Sequence, residues 1–196
     1  GDYEAYLKVD PGNTIAWNNL GAQYQSLALY TETSGRSREG LKYMRQAAQT
    51  GTQGTQTAVR ANNVANVWWH VARIEAELGN REASQVAIRE GARNMARFYE
   101  GAEPGEFRRA IREPWLTLQQ AALHSLYGDF ARAREFATTT LAAFEKVKAE
   151  NAGQERFRAI NLADANEGVG SSSYQLGDYA GAEAALRRAT QLRAAH

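Results

Sequence analysis

Tyr127-Gly128-Asp129-Phe130-Ala131-Arg132-Ala133-Arg134-Glu135-Phe136-Ala137 sets a glycine between two apolar-periodic runs and follows it with an aspartate. The same order returns at Leu78-Gly79-Asn80 and at Leu176-Gly177-Asp178, and the three glycines stand 49 residues apart each time. Glycine takes the left-handed conformation that stops an α-helix without a Cβ penalty. Asn80, Asp129 and Asp178 then suit the cap of the next helix, because a side-chain oxygen there accepts a free first-turn amide. Pro104-Gly105 and Gly153-Gln154 keep the same stride, and Gly54 stands beside its next step back, so turn signals recur at both ends of each unit.

The register predicts helix, tight turn, helix, looser turn, repeated. First helices are expected over 57–78, 106–127 and 155–176, and second helices over 80–101, 129–151 and 178–194. Phe130, Ala133, Phe136, Ala137, Leu141, Phe144 and Val147 follow steps of three and four, and so form one apolar stripe. Tyr179, Ala182, Leu186, Ala189 and Leu192 form another. Such stripes are buried by stacking hairpin on hairpin, which is the energetic logic of a solenoid. Small residues also keep register: Ala72, Ala121 and Gly170 before each turn, then Ser84, Ala133 and Ala182, then Gly91, Thr140 and Ala189 after it. Bulk at these crossings costs about 1–3 kcal/mol.

Near the start, Trp17, Leu20, Gly21 and Tyr24 have W-x-x-L-G-x-x-Y spacing, and Leu7-Lys8-Val9-Asp10-Pro11-Gly12-Asn13 precedes them. Together with the turns, this resembles the tetratricopeptide repeat family in a long-helix variant. The resemblance implies an all-α, right-handed superhelical array of antiparallel hairpins, an α-solenoid. Pro11 would close an earlier repeat, so the chain is expected to begin inside a repeat, as a fragment of a larger protein. The units are expected at 1–13, 14–54, 55–103, 104–152 and 153–196, in a single domain. In the first full unit the turn falls at Ser34-Gly35-Arg36, with Gly40 and Ala47 as small residues of the second helix. Its first helix is then either about two turns longer than the family norm or broken within Thr31–Ser34. Thr50-Gly51-Thr52-Gln53-Gly54 is the most loop-like stretch.

The 196 residues carry a net charge of +1, three prolines and no cysteine. Near-neutral charge disfavours nucleic acid as a partner, and the lack of cysteine removes disulfide and thiolate chemistry. No run reaches the roughly 18 apolar residues of a membrane span, and no signal-peptide pattern opens the chain. A soluble protein is expected, with a cytoplasmic setting favoured over others and the compartment otherwise open. His70, His124 and His196 have no partner at metal-ligand spacing, and no phosphate loop or nucleophile elbow occurs. Neither catalysis, a metal nor a cofactor is therefore expected.

The run from Asn62 to Arg73, Asn-Asn-Val-Ala-Asn-Val-Trp-Trp-His-Val-Ala-Arg, holds the strongest binding candidates. Asn66, Trp69 and Arg73 share a helix face, while Trp68 falls in register with the packing set and is expected in the core. In the tetratricopeptide family the first helices line a concave groove that takes peptides. By that resemblance Asn66, Trp69, His70 and Arg73 face the groove, joined by Asn18, Trp115, Gln119 and Gln175. Asn suits a peptide backbone, Trp supplies apolar area and Arg grips a carboxylate. The competing reading for Trp69 and Trp115 is packing between units. The expected function is a non-catalytic protein–protein interaction scaffold for a peptide or partner domain. Alternatives are a regulatory or sensor segment of a kinase, cyclase or transcription regulator, or a small-ligand-binding helical domain. Homo-oligomers through exposed array ends are a further expectation.

Overall fold

The computed structural model describes residues 2–53, 57–101 and 107–195. Gly54, Pro104 and Gly105 lie outside them. Among the described residues there are nine helices and no strand: α1 (Asp2–Val9), α2 (Thr14–Thr33), α3 (Ser37–Gly51), α4 (Ala58–Glu77), α5 (Arg81–Gly101), α6 (Phe107–Leu126), α7 (Phe130–Lys146), α8 (Ala152–Gln175) and α9 (Tyr179–Ala194).

The hairpin turns are built alike. Gly35, Gly79, Gly128 and Gly177 have φ of 76°, 80°, 76° and 81°. The residue after each glycine donates its amide to the carbonyl five positions back: Arg36 to Thr31, Asn80 to Glu75, Asp129 to His124 and Asp178 to Ser173, at 2.8–3.0 Å. This double-bonded helix end satisfies carbonyls that the last turn leaves free, and it needs a left-handed residue at the glycine. Asp129 and Asp178 cap the following helices by accepting from the amides of Arg132 and Gly181. Asn80 differs from its expected role in its side-chain bond, since its amide donates to the Glu75 carboxylate at 2.8 Å.

The chain forms two compact units, Gly1–Ala102 and Glu103–His196. In the first, α2 packs on α3, α4 on α5, α3 on α4, and α1 on α2. Its core includes Ala28, Met44, Ala48, Ala72, Ile74, Met95 and Phe98. In the second, α6 packs on α7, α8 on α9, and α8 on both α6 and α7. Its core gathers Ile111, Leu118, Ala137, Phe144, Leu162 and Ala165. Phe144 has no exposed surface, and burial of such a side chain stabilises by about 2–3 kcal/mol.

All nine small residues of the 49-residue register are buried. A Cβ on Gly170 would lie 2.6 Å from Leu186 Cγ, so the α8–α9 crossing depends on its absence. The first full unit obeys the same register through Ala28, Gly40 and Ala47, all buried. Gly21 is not the tight point, because a Cβ there would meet Ala47 and Thr50 only at ordinary contact distance. Of the two expectations for α2, the unbroken one holds: it is helical from Thr14 to Thr33.

Three boundaries move. Thr50 and Gly51 belong to α3, with Thr52 as its cap, because their amides continue the helix of an already formed apolar face. The helix expected over 129–151 stops at Lys146, where Val147 turns extended at φ −67° and ψ 125°. Asn151 causes the restart: its side chain accepts the Gln154 amide at 2.9 Å, and Gln154 returns a bond from the Glu150 amide at 2.8 Å. These two bonds start α8 at Ala152. Within α6, Pro114 is buried in the helix interior, where it supplies no amide to the helix ladder.

Candidate functional site

Helix α4 is largely buried, and five of its less buried residues form a stripe: Asn63, Asn66, His70, Arg73 and Glu77. These follow steps of three and four, so they occupy one face. Trp69 falls off that stripe. It is 4% exposed, and a Cβ on Gly91 of α5 would lie 3.0 Å from its Nε1 and 3.3 Å from its Cδ1. Placing Trp69 on an open groove is thereby corrected. The indole fills the gap that the missing side chain of Gly91 leaves, so it acts as packing within the α4–α5 hairpin. Trp68, expected in the core, is half-buried.

A cleft of about 460 Å³ opens between α2 and α4, with the end of α3 as its floor. Asn18, Asn19 and Gln25 line it from α2, and Arg60, Asn63 and Asn66 from α4. Two expected groove residues, Asn18 and Asn66, thus meet in one place. The Asn66 Oδ1 is buried with no hydrogen-bond partner. A buried amide oxygen without a donor costs about 1–3 kcal/mol, so it favours an incoming N–H.

His70 and Arg73 lie further along α4 and do not line the cleft. Arg73 is bonded to Glu32 of α2 and, at 2.6 Å, to Glu77. Burial opposes its charge, but the two carboxylates outweigh that and raise it above its ordinary value. Its fork is therefore engaged within the chain. The His70 imidazole is held below its ordinary value by burial first and by Arg73 second.

In the second unit, Trp115 packs half-buried against the core, with the Arg112 guanidinium 5.3 Å above its ring. Gln119 is half-buried on α6, and Gln175 is exposed at the last position of α8. All three belong to the second unit, and the α2–α4 cleft is built within the first. A cavity of about 410 Å³ between α7, α8 and α9 is lined by Leu141, Leu162 and the Arg158–Glu155 ion pair. There Arg158 and Glu155 are paired with each other, whereas the α2–α4 cleft holds a buried amide oxygen without a donor, which makes the cleft the stronger candidate.

Arg60 was missed in the sequence. It is 4% exposed, and its Nε and Nη2 donate to the carbonyls of Gly51 (2.8 Å) and Thr50 (3.2 Å) at the end of α3. Its Nη1 is buried without a partner. Burial pushes the guanidinium below its ordinary value. The available signal was register: Arg60, Arg109 and Arg158 stand 49 residues apart. Arg109 has Glu113, and Arg158 has Glu155, on its own helix. The matching positions beside Arg60 are Val64 and Thr57.

Helices joined by repeated glycine turns, with an amide-lined cleft between two first helices, can be set beside solved structures. The fold resembles that of BtubC. The crystal structure of BtubC (BKLC) from P. vanneervenii superposes with a TM-score of 0.63 at 19% identity, covering 90% of this chain and 64% of BtubC. The chain thus spans less than two thirds of BtubC, and at this identity the likeness is one of all-α fold alone. No protein-family model matches the chain, and no curated protein matches it either.

Proposed function

We propose that this chain is a tetratricopeptide-like α-solenoid segment that works as a non-catalytic protein-interaction scaffold, with the α2–α4 cleft as its peptide site. The cleft's lining carries the reading. Asn18, Asn19, Gln25, Asn63 and Asn66 present side-chain amides along two neighbouring first helices. An amide both donates and accepts, so a row of them matches the alternating N–H and C=O groups of an extended peptide, whatever its side chains. The unbonded Asn66 Oδ1 supports this, because a backbone N–H would satisfy it. The repeated hairpin register supports the solenoid part of the reading.

The test is selection of short linear peptides on the intact chain, followed by measurement of their affinity for the Asn18→Ala/Asn66→Ala double variant. Loss of about tenfold or more is expected, from about 1 kcal/mol for each hydrogen bond removed. Equal affinity in variant and wild type, with helix content unchanged, would place any peptide site elsewhere.

A further inference from the structure

Resting on that reading of the α2–α4 cleft, we infer that Arg60 anchors a carboxylate carried by the bound segment, so that the cleft selects acidic peptides. Buried cations are rarely left without an anion, because desolvation of a charge is compensated only by pairing and hydrogen bonding. Arg60 has no ion pair among the described residues. Its two bonds go to the carbonyls of Thr50 and Gly51, which cap α3 and place the cation at the negative end of that helix. Those bonds use Nε and Nη2 and leave Nη1 buried and unbonded. A purely structural cap would need no more than the first two.

The register sharpens the contrast. At the two equivalent positions in the second unit, a carboxylate on the same helix pairs with the arginine. At Arg60 that carboxylate is missing from the sequence, and no Asp or Glu lines the cleft among the described residues. The cleft therefore presents one cation among neutral amides. A carboxylate on a bound segment would pair with the Arg60 guanidinium where it lines the cleft, while Asn63 and Asn66 hold the neighbouring backbone. The carboxylate has two sources, an Asp or Glu side chain or the C-terminus of the segment.

The experiment distinguishes them. Each peptide selected on the intact chain is resynthesised as found, with Asp and Glu replaced by Asn and Gln, and with an amidated C-terminus. On the wild-type protein, one neutralised form is expected to bind about tenfold more weakly, and its identity names the source. The Arg60→Met variant is expected to bind acidic and neutral forms alike, with Arg60→Lys restoring part of the preference. Asn66→Ala is expected to weaken all forms by the same factor. If acidic and neutral forms bind the wild type equally while Asn66→Ala still weakens both, the Arg60 assignment is overturned and the cleft reading stands. Persistence of the acid preference in Arg60→Met also overturns it. Binding indifferent to Asn18, Asn66 and Arg60 together removes both. The wild-type comparison decides even if Arg60→Met loses helix content.

Discussion

The carbonyl oxygen of Ala28 lies where a side chain on Gly40 would begin. A Cβ there would stand 2.9 Å from that oxygen and 3.0 Å from the Thr31 hydroxyl, which itself donates to Ala28 at 2.9 Å. The obstacle is backbone, so it does not yield as a flexible side chain would. An exposed helical glycine replaced by alanine gains up to about 1 kcal/mol. At Gly40 the crowding outweighs that gain, and Gly40→Ala is expected to destabilise by about 1–3 kcal/mol in urea denaturation. A neutral or stabilising result would mean that α2 and α3 cross more loosely than described.

Gly79 separates conformation from space. Nothing lies within 4 Å of a Cβ placed on it, yet its φ is 80°. Gly79→Ala is expected to cost about 1–2 kcal/mol from the left-handed backbone alone, and Gly79→Asn less, since Asn tolerates that region. Thermal denaturation of both variants checks the order.

Glu75 of α4 is 1% exposed on its side chain and pairs with Arg45 of α3, whose side chain is 51% exposed. The partners are therefore unequal. Arg45→Ala strands a buried carboxylate with Asn80 as its remaining described donor, and about 3 kcal/mol of destabilisation is expected. Glu75→Gln keeps the shape and frees an arginine that reaches water, so about 1 kcal/mol is expected. Denaturant titration of the two single variants tests the asymmetry, and equal losses would contradict it.

His70 makes stability depend on pH. Burial and the Arg73 charge depress its folded-state value below the ordinary histidine value of about 6.5, against a smaller opposing effect of Glu32. As pH falls through about 6.5 the unfolded chain takes up a proton that the folded chain resists. The contribution is thus complete above that pH and declines below it, levelling off once the folded imidazole is also protonated. The denaturation midpoint of the wild type is expected to fall more steeply than that of His70→Gln between neutral pH and about pH 5. Parallel profiles would show that His70 titrates as it does in the unfolded chain.

Turn chemistry is local, and so Gly79, Gly128 and Gly177 could be read directly with their small-residue neighbours. The same locality explains Asp129 and Asp178 as caps. Val147 was not legible in this way, because its apolar register continues a helix that the Asn151 cap interrupts from the other side. At the site, Asn18 and Asn66 were legible as amides on first helices. Trp69 was not, since its burial depends on the empty space at Gly91, a residue on another helix. Arg60 needed a comparison along the register, to see which arginines carry their own carboxylate and which does not.

The α2–α4 cleft is tested most directly by nuclear magnetic resonance of the intact chain titrated with a selected peptide. The side-chain amide signals of Asn18, Asn63 and Asn66 and the Arg60 Nε–H signal are expected to shift together, with one common affinity. Shifts confined to other residues, with these four unmoved at saturation, would contradict the assignment.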